Sequence, residues 1–290
     1  MHDYIKDFKI YLVTEKQASD MTINSYLNDV QGFMDFLTSI NTKPYLATYS
    51  DIELYLNNLL LIGRASSTIM RNVASIRCYY NYLICLGAID QNPAESVKLS
   101  KKQTSNITYL SDTELSSLLS KPDITTNKGL RDRAILEISY ASGMKASELI
   151  NLDLSDVNLS FGLISCCGNK NKRSIPIHKD AVKILRNYIL YVRPNIVSND
   201  NESALFVNLN NGKRITRQAL WKIIKYYSRQ ANIEKDVNPH TLRHSFAVHL
   251  LKNGAAPADL QDIMGFSALS SLDVYLDIIN PEPGFLLNPE

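Results

Sequence analysis

The 290-residue chain predicts a mainly α protein of two domains, with a small β-sheet confined to the second. Three observations carry this. Apolar residues recur at helical spacing through most of residues 2–87. A polar stretch without that spacing, Lys98 to Asn106, then interrupts the pattern. Beyond it, two short β-type runs flank a basic turn among further helical segments.

Segments 2–15, 23–38, 49–61 and 66–87 each place apolar residues on one helical face, and Thr22 and Ser67 stand where caps would start two of them. Together they predict a four-helix domain over residues 1–94, ended by Gln91-Asn92-Pro93-Ala94. Residues 95–106 read as an exposed linker. Ser111-Asp112-Thr113-Glu114 has the form of a capping box and opens a second domain over 107–290. There, Gly162-Leu163-Ile164-Ser165-Cys166 and Ser174-Ile175-Pro176-Ile177 predict a hairpin around the basic turn. Helices are expected over 180–192, 216–231, 240–253 and 258–264. From Asn280 onward, Pro281, Pro283 and Gly284 rule out one continuous helix.

Composition excludes several classes. Hydrophobic residues make up 45% of the chain, ordinary for a globular protein. The greasiest patch, residues 57–62, stops at Gly63, so no membrane span is expected. Asp3, Asp7 and Glu15 break any apolar leader, so no signal peptide is expected. Four cysteines without metal-ligand spacing, Cys166 and Cys167 adjacent, fit a reducing cytoplasm and predict no structural metal. Cys78 and Cys85 read as small core residues. A net charge of +2 does not by itself announce a nucleic-acid binder. The basic residues are clustered, however: Lys170, Lys172 and Arg173 at one turn, and Lys213, Arg214, Arg217, Lys222 and Lys225 further on.

His240 and Arg243 lie one helical turn apart and would share a face. That pair suits a phosphate, because a guanidinium clamps two oxygens and an imidazole donates or moves a proton. Tyr275 then supplies a hydroxyl able to attack phosphorus. Alone, H-x-x-R is a weak signal. Its surroundings are not weak: Asn238-Pro239-His240-Thr241-Leu242-Arg243-His244-Ser245-Phe246-Ala247-Val248-His249, then Met264-Gly265-Phe266-Ser267, and Tyr275 nine positions after Phe266. This resembles the catalytic end of the tyrosine recombinase (phage integrase) family, most of all its Xer-like branch. Upstream, Thr22-Ile23-Asn24-Ser25-Tyr26, Ser66-Ser67-Thr68 and Asn92-Pro93-Ala94 resemble the family's DNA-clamping module. Gly143-Met144-Lys145-Ala146-Ser147-Glu148-Leu149 and Thr216-Arg217-Gln218-Ala219-Leu220-Trp221 match in the same order.

The resemblance implies a helical SAM-like amino-terminal domain joined to an α+β catalytic domain. It implies double-stranded DNA as partner, a homo- or hetero-tetramer acting on two DNA sites, and no cofactor or metal. Tyr275 would attack a DNA phosphodiester, forming a 3′-phosphotyrosyl link and releasing a 5′-hydroxyl that later reseals the strand. Arg243, His240, Lys145 and a hairpin residue would surround the phosphate, with Phe266 as a packing wall. Lys172, Arg173, Arg214, Thr216, Arg217 and Gln218 would meet DNA from the second domain, and Ser67, Thr68 and Arg71 from the first. By resemblance a carboxy-terminal segment docks on a neighbouring protomer. Phe285-Leu286-Leu287 would do that or fold back on its own domain.

Four places depart from the family. Lys145 stands where the family has its first catalytic arginine, keeping the charge but losing the planar fork. The hairpin reads Cys166-Cys167-Gly168-Asn169-Lys170-Asn171-Lys172. One alignment puts Cys167 on the family's lysine and a one-residue shift puts Lys170 there, the cationic and preferred choice. Phe266 replaces a His or Trp, and the Tyr-x-His ending is absent at Leu276 and Asp277. These departures motivate an alternative function, a DNA-binding relative that has lost strand cleavage and serves as an architectural or regulatory partner. Among the remaining residues, Ser147 and Glu148 are expected to order the turn beside Lys145. His244, His249 and Trp221 are expected in the core or behind the site, and Tyr26 and Tyr79 in packing.

Overall fold

Helices α1 (Tyr4–Thr14), α2 (Asp20–Ser39), α3 (Tyr49–Leu61) and α4 (Ser66–Cys85) build the first of two units, which part after Thr104. The computed structural model describes residues 4–97, 107–167, 172–197, 202–266 and 268–279. In the first unit Phe8, Phe33, Leu37, Ile52, Ile76, Tyr79 and Tyr80 form the buried centre. Phe8 meets Tyr79 edge-on at 5.3 Å between ring centroids. The caps differ from expectation. Ser19, not Thr22, caps α2 by accepting from the Thr22 N–H, and α4 starts after Ala65 without a side-chain cap.

A buried carboxylate ties α2 to α4. Asp29 is 6% exposed and accepts from Arg71 Nε and Nη2 at 2.8 and 2.9 Å, Asn72 Nδ2 at 3.2 Å and Ser75 Oγ at 3.2 Å. Burying a charge costs several kcal/mol unless it is paired and hydrogen-bonded. Four donors meet that need here. Arg71, expected at a DNA phosphate, gives two of its nitrogens to this carboxylate while its side chain stays 46% exposed.

The second unit opens with α5 (Asp112–Ser120), started by the Ser111–Glu114 capping box that the sequence predicts. Next comes α6 (Asn127–Ala141), which sequence reading missed. It is buried on almost every face, with Arg131, Asp132 and Glu137 inside, so no amphipathic stripe marks it. Asp132 takes Arg131 at 2.6 Å and accepts from the Tyr227 hydroxyl at 3.0 Å. A short α7 (Ala146–Ile150) leads to an antiparallel sheet of β1 (Val157–Asn158), β2 (Leu163–Cys167) and β3 (Lys172–Pro176) in that order. Across the predicted hairpin Ile164 pairs with Ile175, both wholly buried, and Cys166 pairs with Arg173.

Helix α8 (Lys179–Asn187) then widens into a π-type turn over Tyr188–Val192. It is followed by α9 (Arg217–Gln230), α10 (Pro239–Lys252), α11 (Pro257–Met264) and α12 (Asp273–Ile279). Leu136, Ile138, Leu185, Leu220, Ile224 and Leu242 meet in the main core of this unit. A smaller cluster joins α10, α11 and α12 through Val248, Leu260, Met264, Leu272 and Tyr275. No described helix is long and apolar enough to cross a membrane. Lys98 to Asn106, the hairpin turn with Lys170, and the tail with Phe285–Leu287 lie outside the described residues.

Candidate active site

Asn238 starts α10: its Oδ1 accepts from the His240 N–H at 2.9 Å and the Thr241 N–H at 3.2 Å. Pro239, at the first helical position, has no N–H to leave unpaired. This start puts residues 240, 243 and 244 on one face. Arg243 is 5% exposed. One of its terminal nitrogens donates to the Gly143 carbonyl and the other to the Met264 carbonyl at 2.8 Å. The guanidinium carbon lies 5.1 Å from the centre of the Phe266 ring. Arg243 is thus pinned by the turn after α6 and the end of α11.

Gly143 is needed for that turn. Its φ is +56°, and a Cβ there would come within 2.4 Å of Phe246 Cδ1. Burial holds the Arg243 pKa below its usual value, with nearby Glu148 pulling the other way. A guanidinium titrates so high that it keeps its charge at neutral pH.

Tyr275 is 3% exposed, with its hydroxyl 2.8 Å from His244 Nδ1. Its ring lies 5.6 Å from His244 and 6.3 Å from Phe266, centroid to centroid. Burial pushes the phenol above its usual pKa, and the Arg243 charge partly offsets this. His244 is pushed down to about 4, first by burial and then by His240 and Arg243. It is therefore neutral at pH 7, and with its ring proton on Nε2 its Nδ1 would accept the bond that the phenol donates. His240 stands exposed at the rim, its ring 6.5 Å from that of His244.

Lys145 is exposed at the start of α7, and its backbone N–H donates to Glu148 Oε2 at 2.9 Å. Glu148 also accepts both terminal nitrogens of Arg173, at 3.1 and 2.8 Å, while Arg173 Nε donates to the Ile263 carbonyl at 2.8 Å. Burial raises the Glu148 pKa, but the Arg173 bond and the Lys145 N–H bring the net value below the usual range. Arg173, expected on DNA, braces β3, α7 and α11.

Arg214 is likewise bonded within its own unit. It donates to the Ile150 and Leu152 carbonyls at 2.9 Å each and pairs with Asp153. Other expected DNA contacts do face outward. Lys172, Thr216, Arg217, Gln218 and Ser67 are exposed, and Thr68 is half-buried. Thr216 caps α9 by accepting from the Ala219 N–H at 3.1 Å. Trp221, expected in the core, lines an open hollow on α9 with Arg217, Gln218 and Lys222.

The structure thus gathers Arg243, Phe266 and Tyr275, with His240 at the edge. His249 is structural: Nε2 donates to the Leu110 carbonyl at 2.8 Å and Nδ1 lies 3.1 Å from the Tyr140 hydroxyl. His244 is the residue that sequence reading undervalued. Its position directly after Arg243 and four after His240 was the available signal.

Residues 108–280 match the phage integrase family, and residues 5–86 match the phage integrase N-terminal SAM-like domain. The chain is 35% identical over 282 residues to a Tyrosine recombinase XerD of Staphylococcus epidermidis, covering 96% of this chain and 95% of that one. It is 36% identical over 281 residues to a Tyrosine recombinase XerD of Lacticaseibacillus casei, covering 97% and 95%. Among solved structures, the fold is similar to the XerH site-specific recombinase bound to palindromic difH substrate. There the TM-score is 0.76 at 18% identity, covering 96% of this chain and 82% of that one.

Proposed function

The chain belongs to the phage integrase family of tyrosine recombinases, and on that premise we propose that it breaks and rejoins DNA at specific sites through a 3′-phosphotyrosyl link. Residues 1–94 clamp duplex DNA and residues 107–290 carry the chemistry, in the cytoplasm, as a tetramer on two sites. Tyr275 attacks phosphorus. Arg243 neutralises charge on the pentavalent centre, where a preorganised donor acts most strongly. His240 hydrogen-bonds a phosphate oxygen from the rim, Lys145 supplies a second cation, and Lys170 protonates the leaving 5′ oxygen. Phe266 packs against the arginine and the tyrosine. One ester replaces another, so no external energy source is needed.

What supports this most is one observation: the Tyr275 hydroxyl sits on a titratable partner, beside the Phe266 ring over which Arg243 lies. The test is a suicide substrate, a duplex nicked near the scissile phosphate so that the cut piece diffuses away. Wild type is expected to accumulate a covalent protein–DNA adduct, and Tyr275→Phe none. Equal, negligible adduct from both, together with salt-sensitive DNA binding, would leave the architectural partner as the function.

A further inference from the structure

We infer that His244 is the base that takes the proton from Tyr275, and that a phosphodiester docked on Arg243 arms it. The inference rests on reading Tyr275 as the nucleophile and adds a group to that reaction. A buried phenol needs a hydrogen-bond acceptor, and a backbone carbonyl would serve as well for stability alone. Here the partner is an imidazole nitrogen at 2.8 Å, which in its Nε2–H tautomer accepts the bond and can keep the proton it is offered. Its other nitrogen makes no hydrogen bond among the described residues, which leaves it open to pass a proton towards solvent or the exposed His240.

The step balances. Tyr275 Oη bonds to phosphorus as the P–O5′ bond breaks. The phenolic proton moves to His244 Nδ1, making an imidazolium, and the departing 5′ oxygen takes a proton from Lys170. During resealing the 5′-hydroxyl attacks, Lys170 recovers its proton, and His244 returns its own to the leaving phenolate.

The charges around His244 make this base conditional. Arg243 and His240 face it from its own helix, and Tyr275 faces it from α12. Glu148 and Arg173 act on Arg243 one shell further out. In the free protein burial and the two neighbours hold the imidazole neutral and weakly basic. A phosphodiester seated on Arg243 brings a negative charge that offsets the nearby cation, so proton affinity at His244 rises when phosphorus comes within reach. Without DNA, the tyrosine stays protonated.

The test compares wild type with His244→Asn, whose side-chain oxygen can accept the same bond but cannot take a proton, and with His244→Gln as a second variant. Two suicide substrates are used, one ordinary and one with a bridging 5′ sulfur that leaves without a proton. Both variants are expected to bind DNA as wild type does and to form adduct about 10²–10⁴-fold more slowly on both substrates, the range for a lost general base. Wild-type rate should level off above the imidazole pKa in the complex, while the variants keep rising tenfold per pH unit into the phenol range. Variant rates within about threefold of wild type, or full rescue by sulfur, would overturn the assignment while leaving cleavage by Tyr275 intact. Wild type that binds DNA yet yields no adduct overturns both.

Discussion

Arg173 grips Glu148 through both terminal nitrogens, and Glu148 in turn receives the backbone N–H of Lys145. The ion pair is largely out of solvent, so removing one partner strands a charge. Arg173→Ala should cost about 3 kcal/mol, at the low end for a broken buried pair because neither group is fully enclosed. The Glu148 pKa is depressed in the folded state, so its contribution is fully present above the ordinary carboxylate pKa and fades as pH falls through the folded value. Denaturant melts of wild type and Arg173→Ala should therefore differ at pH 7 and converge in acid. A constant difference would mean the pair is not what holds this corner.

Asp29 anticipates a similar outcome in the first unit. Asp29→Ala leaves three donor side chains on α4 without their acceptor and should cost about 3 kcal/mol. Arg71→Ala should destabilise the protein more clearly than it alters DNA binding. If the stability of Arg71→Ala matches wild type and only its salt dependence changes, the arginine belongs to DNA after all.

Lys145 is exposed, and a planar guanidinium has room there. Lys145→Arg should raise the rate of adduct formation about tenfold, because the fork grips two phosphate oxygens where an ammonium grips one. A slower variant in the suicide-substrate assay would indicate a site rebuilt around lysine.

Phe266 stacks under Arg243 and beside Tyr275. Phe266→Ala removes a cation–π contact of about 1 kcal/mol and should slow cleavage roughly fivefold. Phe266→Trp keeps the ring, adds a donor, and should meet or exceed the wild-type rate. Equal rates for all three proteins would show the ring to be mere filling.

Arg217 and Arg214 should separate cleanly. Arg217 is exposed at the start of α9, so Arg217→Ala should lower the slope of log affinity against log salt by about one. Arg214 is bonded within its own unit, so Arg214→Ala should lower stability and leave that slope alone. The reverse pattern would exchange their roles.

These contrasts mark what could be read from sequence. Long amphipathic helices such as α2, α3 and α9 were legible because one face is apolar, and the Ser111–Glu114 box because its chemistry is local. Helix α6 escaped because a helix buried all round, with an ion pair inside, has no periodic signal. Helices α7 and α12 are too short to show one. At the site, motif spacing brought Arg243 and Tyr275 to notice, but not the bond from Tyr275 to His244, which depends on how α12 docks against α10. Arginine is the hardest residue to place. Arg71, Arg173 and Arg214 look alike in sequence whether the fork faces a phosphate or the protein's own carboxylates and carbonyls.

The residue read as nucleophile rides on seven residues of helix, attached through a small apolar cluster apart from the main core around α6. With less apolar packing than α6, α12 is expected to open at a lower free energy while the rest stays folded. Its amides should exchange hydrogen sooner than those of the central helix. If that exchange is seen, the buried Tyr275 would be a stowed warhead, kept from stray electrophiles until its short helix opens.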